Sequence, residues 1–137
     1  MVAGGDRLAA ADSLGESVAP VDRGHLERLA TRFGAHFVIE LIDIFIAQGR
    51  ERLTAAEQGI AEGDVTAVVA AAHALKSSAG NLGAKPLGQC AAEIERRGTA
   101  GAAVSVLAPL VTTLGGAFAK ACEVLEVLRA DVERRTV

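Results

Sequence analysis

From Val21 onward, apolar residues recur at spacings of three and four, and the pattern breaks only at glycine-centred turns. A period near 3.6 gathers such residues on one face of an α-helix, so the fold is confined to packed helices. Strand-type alternation is absent, and after Val21 proline occurs only at Pro86 and Pro109. Asp22 is a good N-cap for a short helix with Leu26, Leu29, Ala30 and Phe33 on one face, stopped at Gly34. A long helix over about 36–62 follows, in which Phe37, Leu41 and Phe45 repeat, flanked by Val38, Ile42 and Ile44. Gly63 ends it, and Asp64 caps a third helix over about 65–82, closed by Gly83.

A shorter helix over about 85–97 carries Pro86 in its first turn and turns Leu87, Cys90, Ala91 and Ile94 inward. Gly98-Thr99-Ala100-Gly101 reads as a turn. The last helix reaches about 134, with Leu107, Leu110, Val111, Leu114, Phe118, Cys122, Leu125 and Leu128 as its stripe. Pro109 predicts a kink there, unless the helix begins near 107. Four amphipathic helices joined by short turns make an all-α, antiparallel up-and-down four-helix bundle, with the short first helix capping one end. Residues 1–20 read as a loose tail closed by Pro20, and residues 21–137 as the bundle.

The chain has 137 residues, enough for one domain, and half are hydrophobic. With no Trp or Tyr and a net charge of -3, it lacks both the stacking surface and the positive field of a nucleic-acid binder. No membrane span is expected, because the longest greasy run, Phe37 to Ala47, is interrupted by Glu40 and Asp43. The first twenty residues contain Asp6, Arg7, Asp12 and Glu16 and no apolar leader core, so a cytoplasmic location is expected. Cys90 and Cys122, both flanked by apolar residues, read as reduced thiols. His73 with Cys90 offers too few ligands for a metal site, and His25 and His36 read as surface residues without partners. Arg96 and Arg97 read as a solvated face.

The third helix carries the informative residue. Val65, Val68, Ala72, Leu75, Ala79 and Leu82 form a clean core seam, and His73 points roughly 130° away from its centre at 100° per residue. His73 therefore faces outward. Its helix-surface neighbours are Thr66, Val69, Ala70, Lys76, Ser77 and Gly80, of which only Lys76 is charged. Such a smooth stripe lets another protein's active site approach an imidazole. Ser77, Ser78 and Gly80 are small either for that reason or because the first helix packs over them.

A neutral imidazole is nucleophilic at one ring nitrogen. A phosphoryl group there adds nearly two negative charges, which Lys76 one turn on can pair and Ser77 can hydrogen-bond. Phosphoryl transfer needs positioning and electrostatics above all. The sequence supplies no carboxylate cluster for Mg²⁺ beside His73 and no nucleotide-binding loop. A partner would have to bring the metal and the catalysis.

The segment His73-Ala74-Leu75-Lys76-Ser77-Ser78-Ala79-Gly80-Asn81-Leu82-Gly83-Ala84 resembles the signature of histidine-containing phosphotransfer (HPt) domains. Asp22, the stretch Phe37 to Phe45, Gly63-Asp64, and Leu87, Cys90 and Ile94-Glu95 are similar to the family's surrounding pattern, so the resemblance spans about residues 20–130. It implies that His73 is the phosphoacceptor, that Lys76 steadies the phosphoryl group, and that Gly83 allows close helix approach. It also implies partners: receiver domains of response regulators, whose aspartate and Mg²⁺ do the chemistry, and a hybrid sensor histidine kinase upstream. No cofactor of the chain's own and no autonomous kinase activity are implied. Ser77 stands where many members have Gly. Glu95 stands where many have a Gln facing the ring; a carboxylate there would orient the imidazole and raise its basicity, yet repel a phosphoryl group. Two other functions fit the same bundle: a docking module that carries no phosphate, and a detached substrate domain of a chemotaxis-type kinase.

Overall fold

A computed structural model of the chain describes residues 19–135. Among them are five helices and no strand: α1 (Arg23–Phe33), α2 (Ala35–Glu62), α3 (Val65–Leu82), α4 (Lys85–Thr99) and α5 (Val104–Arg135). The tail expected over residues 1–20 lies, apart from Ala19 and Pro20, outside the described residues.

Helix boundaries follow from capping. The Asp22 carboxylate accepts the His25 backbone N–H at 3.1 Å, and Asp64 accepts that of Ala67 at 3.1 Å, each satisfying an otherwise unpaired donor of the first turn. Gly63 (φ 70°) and Gly83 (φ 69°) close α2 and α3 in the left-handed conformation. Because the connections are this short, successive long helices must fold back on each other. The packed pairs α2–α3, α3–α4, α4–α5 and α2–α5 close an antiparallel four-helix ring, and α1 lies against α2 at one end.

The core runs through the centre of that ring. Ile42, Leu75, Leu82, Leu87, Ile94, Leu107, Leu114 and Leu125 are fully buried there. Alanines at 56, 72, 79, 91 and 121 let the helices approach closely. Phe45 and Phe118 meet with ring centroids 5.7 Å apart. A methyl group on Gly49 would collide with the Phe118 ring, and one on Gly98 would collide with Val69. These two glycines set the α2–α5 and α3–α4 approaches. Cys122 is buried and Cys90 half-buried, and both are free thiols; the Cys90 Sγ–H donates to the Leu110 carbonyl at 3.4 Å.

Four details depart from the sequence reading. Gly98 and Thr99 belong to α4, so the turn is confined to the residues after Thr99; the helix continues because Gly98 is where α3 packs against it. α5 starts at Val104, ahead of 107, and runs unbroken through Pro109. The buried line of α2 is Val38, Ile42, Phe45 and Gly49, one residue out of phase with Phe37 and Leu41. Phe37 and Ile44 are correspondingly exposed, as is Phe33 at the end of α1, where only Leu26 of its expected face is buried; the Phe33 and Phe37 rings lie 5.0 Å apart at the surface. Finally, His25 has a partner. Its Nε2–H donates to the Asn81 carbonyl at 2.9 Å, and the Asp22 N–H donates to the Gly83 carbonyl at 2.9 Å, so the start of α1 pins the end of α3.

α5 is long and apolar enough by composition to cross a bilayer. Here its apolar stripe, Leu107 to Val132, faces the bundle core.

Candidate functional site

α3 presents its seam to the core and the opposite face to solvent. Val68, Ala72, Leu75, Ala79 and Leu82 are essentially inaccessible, whereas the His73 side chain is 62% exposed. The rigid side of the helix thereby fixes where the imidazole stands.

The charged groups of the site come from two helices. Lys76 lies one turn beyond His73 on α3, and Glu95 projects from α4. One Glu95 oxygen, Oε2, lies 2.7 Å from His73 Nδ1; the other, Oε1, lies 2.6 Å from Lys76 Nζ. The carboxylate thus bridges imidazole and ammonium. The Lys76 hydrogen bond, and then that of His73, hold the Glu95 carboxyl below the usual carboxylate range. An ionised carboxylate only accepts, so His73 Nδ1 must carry the proton and donate. In the neutral ring that leaves the lone pair on Nε2, the atom Glu95 does not engage.

The neighbouring surface is small and open. Ser77 and Gly80 are exposed, and a methyl group on Gly80 would meet nothing within 4 Å. α1 therefore does not pack over Gly80, and the smoothness of the face is not a packing requirement. Lys76, Ala79, Gly80, Gly83, Ala84 and Gly88 line a shallow groove that leads from the site between α3 and α4. Gly83 combines both expected roles. It ends α3 with a positive φ, and a methyl group there would come within 3.0 Å of Asp22 Cβ, where α1 crosses.

Arg96 and Arg97 lie beside the site but turn to Glu93, at 2.6 and 2.5 Å. They stay on the surface of α4, as a solvated face would. Among the described residues, no group of three or more His, Cys, Asp or Glu could hold a metal ion.

The sequence brought His73, Lys76 and the small residues to one face. It did not show that one carboxylate would join His73 to Lys76. It also missed the apolar surface at Phe33, Phe37 and Ile44; for Phe37 and Ile44 the signal is that α2 is apolar over a wider arc than a core seam needs.

The structure is a ring of four helices with an outward histidine on α3, held through Nδ1 by Glu95 and flanked by a lysine. The sequence pattern of the Hpt domain matches residues 40–134, most of the bundle, and the chain belongs to that family. Its role is histidine phosphotransfer in phosphorelays. Hpt domains interact with receiver domains and hybrid kinases, and proteins of the family are typically soluble.

The fold is similar to that of histidine-containing phosphotransfer protein B from Pseudomonas aeruginosa PAO1, with a TM-score of 0.73 and 24% identity, covering 82% of this chain and 96% of that one. It is also similar to the HPT domain of a sensor hybrid histidine kinase from Shewanella, with a TM-score of 0.72 and 13% identity, covering 82% and 95%. No curated protein matches the sequence.

Proposed function

We propose that His73 is the phosphoacceptor and that Nε2 is the reacting atom. The observation that carries this reading is the 2.7 Å contact between His73 Nδ1 and Glu95, on a ring that is 62% exposed. It leaves one nucleophilic nitrogen, pointed where a partner can reach. Loading forms an Nε2–P bond while the donor's P–O or P–N bond breaks and its electron pair leaves with the donor.

Lys76 is the cation for the arriving phosphoryl group. Its ammonium, now 2.6 Å from Glu95, is a mobile point charge on a flexible stem and can turn to the new dianion. Ser77, exposed one turn from His73, offers a hydroxyl donor, and Gly80 keeps the approach open. Gly83 contributes indirectly, by fixing the end of α3 against α1.

The chain's own residues hold and orient the phosphoryl group on an open surface. The aspartate and Mg²⁺ of the step belong to the partner, a receiver domain of a response regulator or of a hybrid sensor kinase, and we place the exchange in the cytoplasm.

The test is direct loading. Purified protein and a His73→Gln variant are incubated with a small phosphoramidate donor, and phosphate is detected before and after brief acid treatment. An acid-labile adduct on the wild type that is absent from His73→Gln supports the reading. A folded wild type that takes no phosphate, beside a working control protein, defeats it and leaves docking without phosphate as the better account.

A further inference from the structure

We infer that Glu95 is a positioning residue that keeps the phosphorylated ring of His73 protonated at Nδ1, and so keeps its phosphoryl group ready to leave. The inference rests on His73 being the phosphoacceptor and deepens that reading.

Its basis is the charge of the group that faces the ring. When Nε2 forms its bond to phosphorus, Nδ1 keeps its proton, so the ring becomes a cation. Glu95 Oε2 stands 2.7 Å from that nitrogen and carries the matching negative charge. In onward transfer the P–N bond breaks and its electron pair returns to Nε2. With Nδ1 protonated, the leaving group is a neutral imidazole. Without that proton it is an imidazolate, a far poorer leaving group. A neutral amide in place of Glu95 could still accept the Nδ1–H and orient the ring, but it would not hold the proton by charge.

The same carboxylate has a second effect in the same direction. It faces Lys76 Nζ at 2.6 Å, so an incoming phosphoryl group must share or take that ammonium. Negative charge beside the phosphoryl group raises the free energy of the loaded state. Ring protonation and charge crowding both favour release to a receiver aspartate or to water. Glu95 thus makes His73 a relay point with a short-lived load.

Other charges near the ring do not compete for this role. Lys76 is the cationic neighbour on α3 and is already bound to Glu95. On α4, Glu93, Arg96 and Arg97 are tied to one another. On α1, His25 is committed to the Asn81 carbonyl, and Arg23 lines the groove together with Lys85 of α4.

The experiment loads wild type, Glu95→Gln, Glu95→Asp and Glu95→Ala with phosphoramidate. It then removes the donor and follows loss of the acid-labile phosphate from mildly acidic to alkaline pH. Circular dichroism confirms that each variant is helical. The expected result is an adduct about tenfold longer-lived in Glu95→Gln at mildly alkaline pH, the factor between a charge-assisted and a neutral hydrogen bond. The fall in lability with rising pH should also begin earlier in Glu95→Gln than in wild type, and Glu95→Asp should restore the wild-type profile in part. A residue that only orients the ring would leave Glu95→Gln like the wild type and slow loading in Glu95→Ala alone. That outcome, or a shorter-lived adduct in Glu95→Gln, overturns the inference while leaving His73 as the acceptor. A wild type that takes no phosphate overturns both.

Discussion

Gly80 and Gly49 are both helical glycines with opposite surroundings, and replacing each by alanine should move stability in opposite directions. Glycine inside a helix costs about 0.5–1 kcal/mol relative to alanine, through backbone entropy. At Gly80 a methyl group meets nothing within 4 Å, so that cost is recovered without a clash. Gly80→Ala should therefore stabilise the bundle by about 0.5–1 kcal/mol, which for a domain of this size is about 2–5 °C in Tm. At Gly49 the methyl group would collide with Phe118, which is 4% exposed and packed on Phe45. Overpacking of a filled core costs about 1–3 kcal/mol and outweighs the propensity gain, so Gly49→Ala should lose about 1–2 kcal/mol. Urea denaturation monitored by circular dichroism reads both as shifts in midpoint at unchanged slope. A less stable Gly80→Ala or a more stable Gly49→Ala would refute the packing described for α2, α3 and α5.

Three further outcomes follow from the geometry. Ile94→Ala removes a fully buried side chain between α4 and the core and should cost about 3 kcal/mol in a urea titration; a loss below 1 kcal/mol would mean that the site collapses or that α4 is misplaced. Asp64→Ala deletes the acceptor of the Ala67 N–H at the start of α3 and should cost about 1 kcal/mol by the same assay. The Glu95 carboxyl is lowered by Lys76 and His73, so its ionised form contributes stability above the unfolded carboxyl value of about 4.3, and that contribution is lost as pH falls through the folded value. Wild type should then lose stability more steeply than Glu95→Gln as pH drops below about 4.3, and equal acid slopes would contradict the bridge.

Much of the fold was legible because its signals are local. Asp22 and Asp64 cap helices that begin beside them, and Gly63 and Gly83 end helices with positive φ. The outward direction of His73 was equally legible, since the seam of α3 is narrow enough to fix its phase. The phase of α2 was not. Phe37, Val38, Ile39, Leu41, Ile42, Ile44 and Phe45 are apolar around most of the helix, so the period is plain and the buried side is set by Phe118 entering beside Gly49. Gly98 looked like a turn because glycine usually is one, whereas here it admits Val69 from another helix. The junction of His73, Glu95 and Lys76 depends on the register between α3 and α4. No single-helix pattern contains that register, and before the structure Glu95 entered only through family resemblance. His25 is the same case, since its partner, the Asn81 carbonyl, lies 56 residues away.

The central claim is that Glu95 occupies Nδ1 and leaves Nε2 of His73 to take the phosphoryl group. Protein labelled with ¹⁵N in histidine, loaded with phosphoramidate and observed by heteronuclear NMR, tests it atom by atom. The account predicts phosphorus coupling at Nε2 of His73, with Nδ1 still bearing its proton. Coupling at Nδ1, or a phosphoryl group on any residue other than His73, would contradict it.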